Sequence, residues 1–131
     1  MVITRQEQIF IKQLIALRER KEEKLQAQWR TLVEEQNNCR KERQLAYLLW
    51  SVSRAVLVEL KLDDILLTRN ELTQLVSDKR SQYEQERARA ESIDYWDKRV
   101  AQIEHQKAEL TRQKTVLIRG KEKLKRFLYD Q

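Results

Sequence analysis

Residues 93–128, IDYWDKRVAQIEHQKAELTRQKTVLIRGKEKLKRFL, decide the fold, because Trp96, Ile103, Leu110, Leu117 and Leu124 recur every seven residues without a miss. At 3.6 residues per turn every seventh side chain returns to nearly the same face, so this repeat is one seam of an α-helical coiled coil. Interleaved with it run Ile93, Val100, Lys107, Lys114, Lys121 and Leu128, apolar at both ends and lysine through the middle. In a long homodimer each seam lysine would face its own copy and be desolvated against like charge. A different helix that supplies carboxylates suits these lysines better.

The composition restricts the architecture. At 131 residues one domain is the ceiling, and a chain with no Pro, one Gly and 37% charged residues lacks the punctuation that strands, tight turns and nucleotide loops need. An all-α, elongated molecule with a narrow two-helix interface is expected. A single cysteine excludes an intrachain disulfide. Polar Thr4, Arg5, Gln6, Glu7 and Gln8 stand where a signal peptide would need an apolar run, and the uncharged run from Gln44 to Ser53 is too short to cross a bilayer. A cytoplasmic protein without membrane insertion is therefore expected.

Charge is uneven along the chain. Residues 98–126 hold ten Lys or Arg against Glu104, Glu109 and Glu122, so this segment alone carries +7 of a net +6, and the rest is close to neutral. A solvated, solubilising helix surface accounts for that, and so does attraction to an acidic partner.

Helix 1 presents Ile3, Phe10, Leu14, Leu17, Leu25, Leu32, Cys39 and Ala46, a seven-residue rhythm with an eight-residue slip between Leu17 and Leu25 that reads as a stutter. Ile9, Ile11 and Ile15 lie beside that seam and widen the apolar face. Cys39 reads as a small core residue, and Trp29 lies off the seam as a partner contact or a partly covered flank. From Leu45 the chain is apolar on nearly every helical face, and Thr68-Arg-Asn-Glu71 has capping-box spacing, so the reversal falls between residues 62 and 70. The expectation is a single antiparallel hairpin over 1–131, with helix 1 at about 3–62 and helix 2 at about 69–128. Same-level pairs are then Phe10 with Leu124, Leu17 with Leu117, Leu25 with Leu110, Leu32 with Ile103 and Cys39 with Trp96. In this register Glu19, Glu22 and Glu23 come level with Lys114.

The same register exposes a mismatch. Residues 77–91 offer only Tyr83, Ala88 and Ala90 to cover Tyr47, Leu48, Leu49, Trp50, Val56 and Leu57. Three outcomes are open: a homo-oligomer, a kink into a local cluster, or an apolar patch for another protein. Gly120 reads as a tolerated helical glycine that allows a slight bend.

Nothing points to catalysis, a metal or a cofactor. His105 falls on the outer face and Cys39 lies at a distant level, so no Cys/His pair forms. Ligand clusters are missing, and one Gly builds no phosphate loop. Basic zippers place their basic region outside the heptads, whereas these lysines sit in the seam or alternate with Glu, so specific nucleic-acid binding is not expected.

The whole chain resembles the central stalk family of type III secretion and flagellar export ATPases (FliJ/YscO/HrpO-like). The matching features are its length, Ile-Phe-Ile-Lys-Gln-Leu-Ile at 9–15 and Arg-Gly-Lys-Glu-Lys-Leu-Lys-Arg-Phe at 119–127. The resemblance implies a stalk similar to the γ subunit of rotary ATPases. Its paired helix ends would sit in the pore of a hexameric export ATPase, its hairpin end would face the export gate, and secretion chaperones would be further partners. Surplus apolar and basic positions of this sequence supply the candidate residues. For the ATPase they are Ile9, Ile11, Ile15, Ile118, Arg119, Lys121, Lys123, Lys125, Arg126 and Phe127, with Val116 beside them. For the gate or a chaperone they are Tyr47, Trp50 and Tyr83. A generic coiled-coil scaffold or chaperone-binding adaptor is the alternative, and a basic nucleic-acid-binding coiled coil is a less favoured third reading.

Overall fold

The computed structural model of the chain describes residues 3–59 and 68–130. The protein is all-α: two long helices, α1 (Arg5–Glu59) and α2 (Arg69–Tyr129), pack against each other as an antiparallel hairpin. The expected reversal lies outside the described residues except for Thr68, Arg69 and Asn70. Both helices open on reciprocal caps. Thr68 Oγ1 accepts from Glu71 N–H at 3.2 Å while Glu71 accepts from Thr68 N–H at 3.2 Å, as the spacing predicts. Thr4 and Glu7 repeat the arrangement at the start of α1, at 3.2 and 3.4 Å. Each cap satisfies backbone donors that no helical carbonyl reaches and is worth about 1 kcal/mol.

The chain forms two compact units, one of Met1–Gln36 with Gln102–Gln131 and one of Asn37–Ala101. In the first, Ile3, Ile11 and Ile15 form a buried cluster against which Leu124 and Leu128 pack. Ile103 is fully buried, and the polar Gln36 is almost as fully enclosed, at 1% exposure. In the second, the buried side chains of α1 are Cys39, Ala46 and Ser53. They recur at seven-residue steps and are small, so this part of the seam is thin. Trp50 joins that seam, half-buried, its Nε1–H donating to Glu86 Oε1 at 2.9 Å, and Arg43 pairs with Asp97.

These contacts correct the expected α1 seam. Phe10 and Leu17 are 60% and 46% exposed, whereas Ile11 and Ile15 are core. The true seam runs through Ile11, Arg18, Leu25, Leu32, Cys39, Ala46 and Ser53, interleaved with Ile15, Glu22, Trp29, Gln36, Arg43, Trp50 and Leu57. It is an uninterrupted heptad pattern with no stutter. Arg18, Glu22, Gln36 and Arg43 occupy seam positions with polar heads on long stems, so following apolar residues alone leads to their neighbours Phe10 and Leu17. The pairing register moves with it by about one helical turn. Leu124 packs on the Ile11 and Ile15 cluster instead of Phe10, and Lys114 reaches Gln26 instead of the glutamates at 19–23.

The seam lysines find partners within the chain. Lys107 Nζ donates to Gln36 Oε1 at 3.0 Å, lies 3.7 Å from Glu104 and stands 5.3 Å over the Trp29 ring, which places Trp29 on the seam. Lys114 donates to Gln26 Oε1 at 2.7 Å, and Lys121 to Glu22 Oε2 at 3.0 Å. The Lys121 and Glu22 side chains are only 17% and 16% exposed, so water does little to screen their attraction. Glu22→Ala strands a shielded ammonium and is expected to cost about 1–3 kcal/mol in urea unfolding. Glu22→Leu combined with Lys121→Met recovers most of that loss, because removing both charges also removes their desolvation cost.

Gly120 has a packing reason for being there. A Cβ at this position would stand within 3 Å of a guanidinium nitrogen of Arg18, whose head lies across the α2 backbone. The obstruction is the end of a flexible side chain, which can swing into solvent. Gly120→Ala is therefore expected to gain helix propensity and stabilise the protein by less than about 1 kcal/mol, read from its thermal midpoint.

Candidate protein-docking surfaces

Coiled-coil flanks hold whatever the seam does not use. In the first unit, Ile9, Phe10, Leu17, Val116, Phe127 and Tyr129 are between 45% and 75% exposed although large and apolar. Several of them share a side. Lys21, Lys24, Gln28, Gln113 and Val116 surround a depression of about 490 Å³ floored by Leu25 and Leu117. Phe10 and Leu17 precede Lys24 at seven-residue steps, and Phe127 stands about three turns beyond Val116, which continues the same faces of α1 and α2. A second depression of about 490 Å³, floored by Leu32 and Leu110, is walled by Gln28, Thr31, Gln106 and Glu109. Leu25, Leu32, Leu110 and Leu117 each remain half-buried, as a two-helix seam leaves them.

The sequence-derived candidates divide accordingly. Ile9 and Phe127 are exposed and Ile118 is half-buried, whereas Ile11 and Ile15 are 7% and 9% exposed and fill the core. Ile11 and Ile15 thus hold the two helices together and have no surface left to offer a partner. Among the cations, Lys121 is bound to Glu22 and Lys125 lies 4.0 Å from Glu19, while Arg119, Lys123 and Arg126 stand exposed around Glu122 in a shallow hollow. Sequence reasoning misses Phe10, Leu17 and Tyr129 as surface groups. Their signal, apolar side chains one residue off a heptad position, becomes readable once Ile11 and Arg18 are placed on the seam.

In the second unit Tyr47 and Tyr83 are 49% and 56% exposed, while Trp50 faces α2 and packs at 5.7 Å between ring centroids against Tyr47. The expected mismatch is present. Leu48, Leu49 and Val56 are exposed as anticipated, and Leu45, Val52, Leu72, Val76 and Tyr95 join them, whereas Leu57 is half-buried.

Both units offer apolar area and charge, which is binding chemistry. Among the described residues no group of three or more His, Cys, Asp or Glu is placed to hold a metal ion, and no helix is long and apolar enough to cross a membrane. The chain matches no protein-family model, no curated protein and no solved structure.

Proposed function

We propose that this chain is a non-enzymatic, cytoplasmic coiled-coil protein that acts by docking, as the central stalk of a hexameric type III secretion export ATPase. In this reading the unit holding Met1–Gln36 and Gln102–Gln131 faces the ATPase and promotes hexamer assembly and hydrolysis, and Tyr47 and Tyr83 of the other unit meet the export gate or a secretion chaperone. The observation that carries it is the surplus in the first unit. Ile11, Ile15, Leu124 and Leu128 already close the seam, yet Phe10, Leu17, Val116 and Phe127 remain about half exposed or more beside Lys21, Lys24 and Lys123. Apolar surface of that extent on a folded protein marks a binding face. The adjoining cations suit an acidic or carbonyl-lined ring mouth and would speed docking more than they fix affinity.

The test is the hydrolysis rate and hexamer yield of an export ATPase with and without the purified chain. A saturable rise in both, at micromolar chain or below, supports the stalk reading, and no effect removes it. The exposed apolar residues of the second unit equally favour a scaffold or chaperone-binding adaptor, which would bind its partner and leave hydrolysis unchanged.

A further inference from the structure

Between Gln44 and Ser53 α1 carries no charge in a chain that is 37% charged. Within and just beyond this stretch Leu45, Leu49, Val52 and Val56 are 51%, 44%, 63% and 40% exposed, with Leu48 at 55% on their outer edge. Their spacing of four, three and four residues is that of a coiled-coil seam. It is a second seam on α1, about a quarter-turn from the one through Ala46, Trp50, Ser53 and Leu57 that α2 covers.

We infer that this stripe is the interface of a two-fold symmetric dimer, its occupant the same stripe of a second copy running antiparallel. Three observations single out a second copy. Four-three-four spacing reads the same in both directions, so a two-fold axis between residues 49 and 52 sets Leu45 opposite Val56 and Leu49 opposite Val52, each twice. Antiparallel pairing thus places a larger residue against a smaller one at every level, which packs evenly, whereas parallel pairing would stack Leu on Leu and Val on Val. The stripe also carries no charge, so two copies meet without desolvating like charges.

The area suffices as well. On α2, the positions one before the seam and those three or four away from them lie on the same side of an antiparallel pair. Here they are Ser81, Gln85, Ala88, Ser92 and Tyr95, all uncharged and small except for Gln85 and for Tyr95 at the end level with Leu45, so the neighbouring helix lets a second copy approach without burying charge. Five large side chains near half exposure offer about 500 Å² per copy, and that flank raises the total toward the ~800 Å² per partner of a standard stable interface when all of it is covered. Tyr47, one residue past Ala46, lies on the opposite flank and is left uncovered. The inference does not depend on the ATPase reading.

Sedimentation of the full chain tests it. The wild type is expected to be a dimer at about 10 μM, and Leu49→Glu or Val52→Lys alone to weaken self-association about a hundredfold or more with unchanged helicity, since both positions are exposed. In the chain carrying both substitutions, the carboxylate introduced by Leu49→Glu meets the ammonium introduced by Val52→Lys on the second copy, twice per dimer, and the dimer is expected to return. A wild type that stays monomeric at about 100 μM overturns the proposal and leaves the stripe to a different protein. Single variants that dissociate without recovery in the double variant overturn the two-fold register. Dimers indifferent to both substitutions overturn the interface.

Discussion

Replacing Ile103 by Ala is expected to cost about 3 kcal/mol, and replacing it by Asp to abolish cooperative unfolding near room temperature altogether. Ile103 is the one large apolar side chain among the described residues with no exposed surface, and its unit has few other fully enclosed groups with which to share the loss. Truncation removes its transfer free energy and leaves a cavity that the surrounding side chains relax only partly to fill. Asp adds a carboxylate without water. Lys107, one turn away, is already engaged by Gln36, Glu104 and the Trp29 ring, so it answers the new charge only by giving those up. Circular dichroism during thermal and urea unfolding reads both variants. Should Ile103→Asp melt cooperatively within a few degrees of the wild type, the seam is not what holds α1 to α2.

That residue is legible in the sequence because α2 keeps one of its two seam positions apolar from Trp96 to Leu124, and every second-helix seam position read from residues 93–128 is buried or half-buried. The α1 seam is harder to read because it is written partly in Arg18, Glu22, Gln36 and Arg43. Their side chains reach the interface with aliphatic stems; Glu22, Gln36 and Arg43 satisfy their heads on Lys121, Lys107 with Glu104, and Asp97 of α2, and Arg18 lays its guanidinium beside Gly120. Periodicity in hydrophobicity alone does not see such positions. A one-residue displacement follows, and on a helix one residue is 100°, enough to exchange core for flank. Apolar rhythm therefore makes Phe10 and Leu17 core and Ile11 and Ile15 surplus, the reverse of their burial. The Thr68 cap and the two long helices are legible because their signals are local, and the uncovered residues at 47–56 are legible because a register error of about one turn still leaves a mostly polar stretch of α2 opposite them. Polar seam positions also fix the register. Lys121 bonded to Glu22 and Lys107 to Gln36 have partners at one alignment, and a slip of one turn would bury those heads unpaired.

The exchange of core for flank also decides which substitutions can test docking. Ile11→Asp would place a carboxylate against Ile15, Leu124 and Leu128 and unfold the unit, so any loss of partner binding would say nothing about the interface. Phe10 and Phe127 are the informative pair. At 60% and 45% exposure both already stand in water, on the faces of α1 and α2 that carry Lys24 and Val116, and an exposed Phe→Asp change in a helix costs only about 0.5 kcal/mol. In a docked complex the same two rings would be buried, and aromatic anchors of this kind carry about 2 kcal/mol or more each. Phe10→Asp with Phe127→Asp is therefore expected to raise the concentration of chain that half-stimulates an export ATPase by about a thousandfold, which at assay concentrations is complete loss. Helicity and thermal midpoint should stay near the wild type. Neutralising Lys21, Lys24 and Lys123 instead should slow association and flatten its salt dependence, with a smaller effect on the dissociation rate. Full stimulation by the double Asp variant would mean that this flank does not meet the ATPase, and the partner would then be sought at Tyr47 and Tyr83 of the other unit.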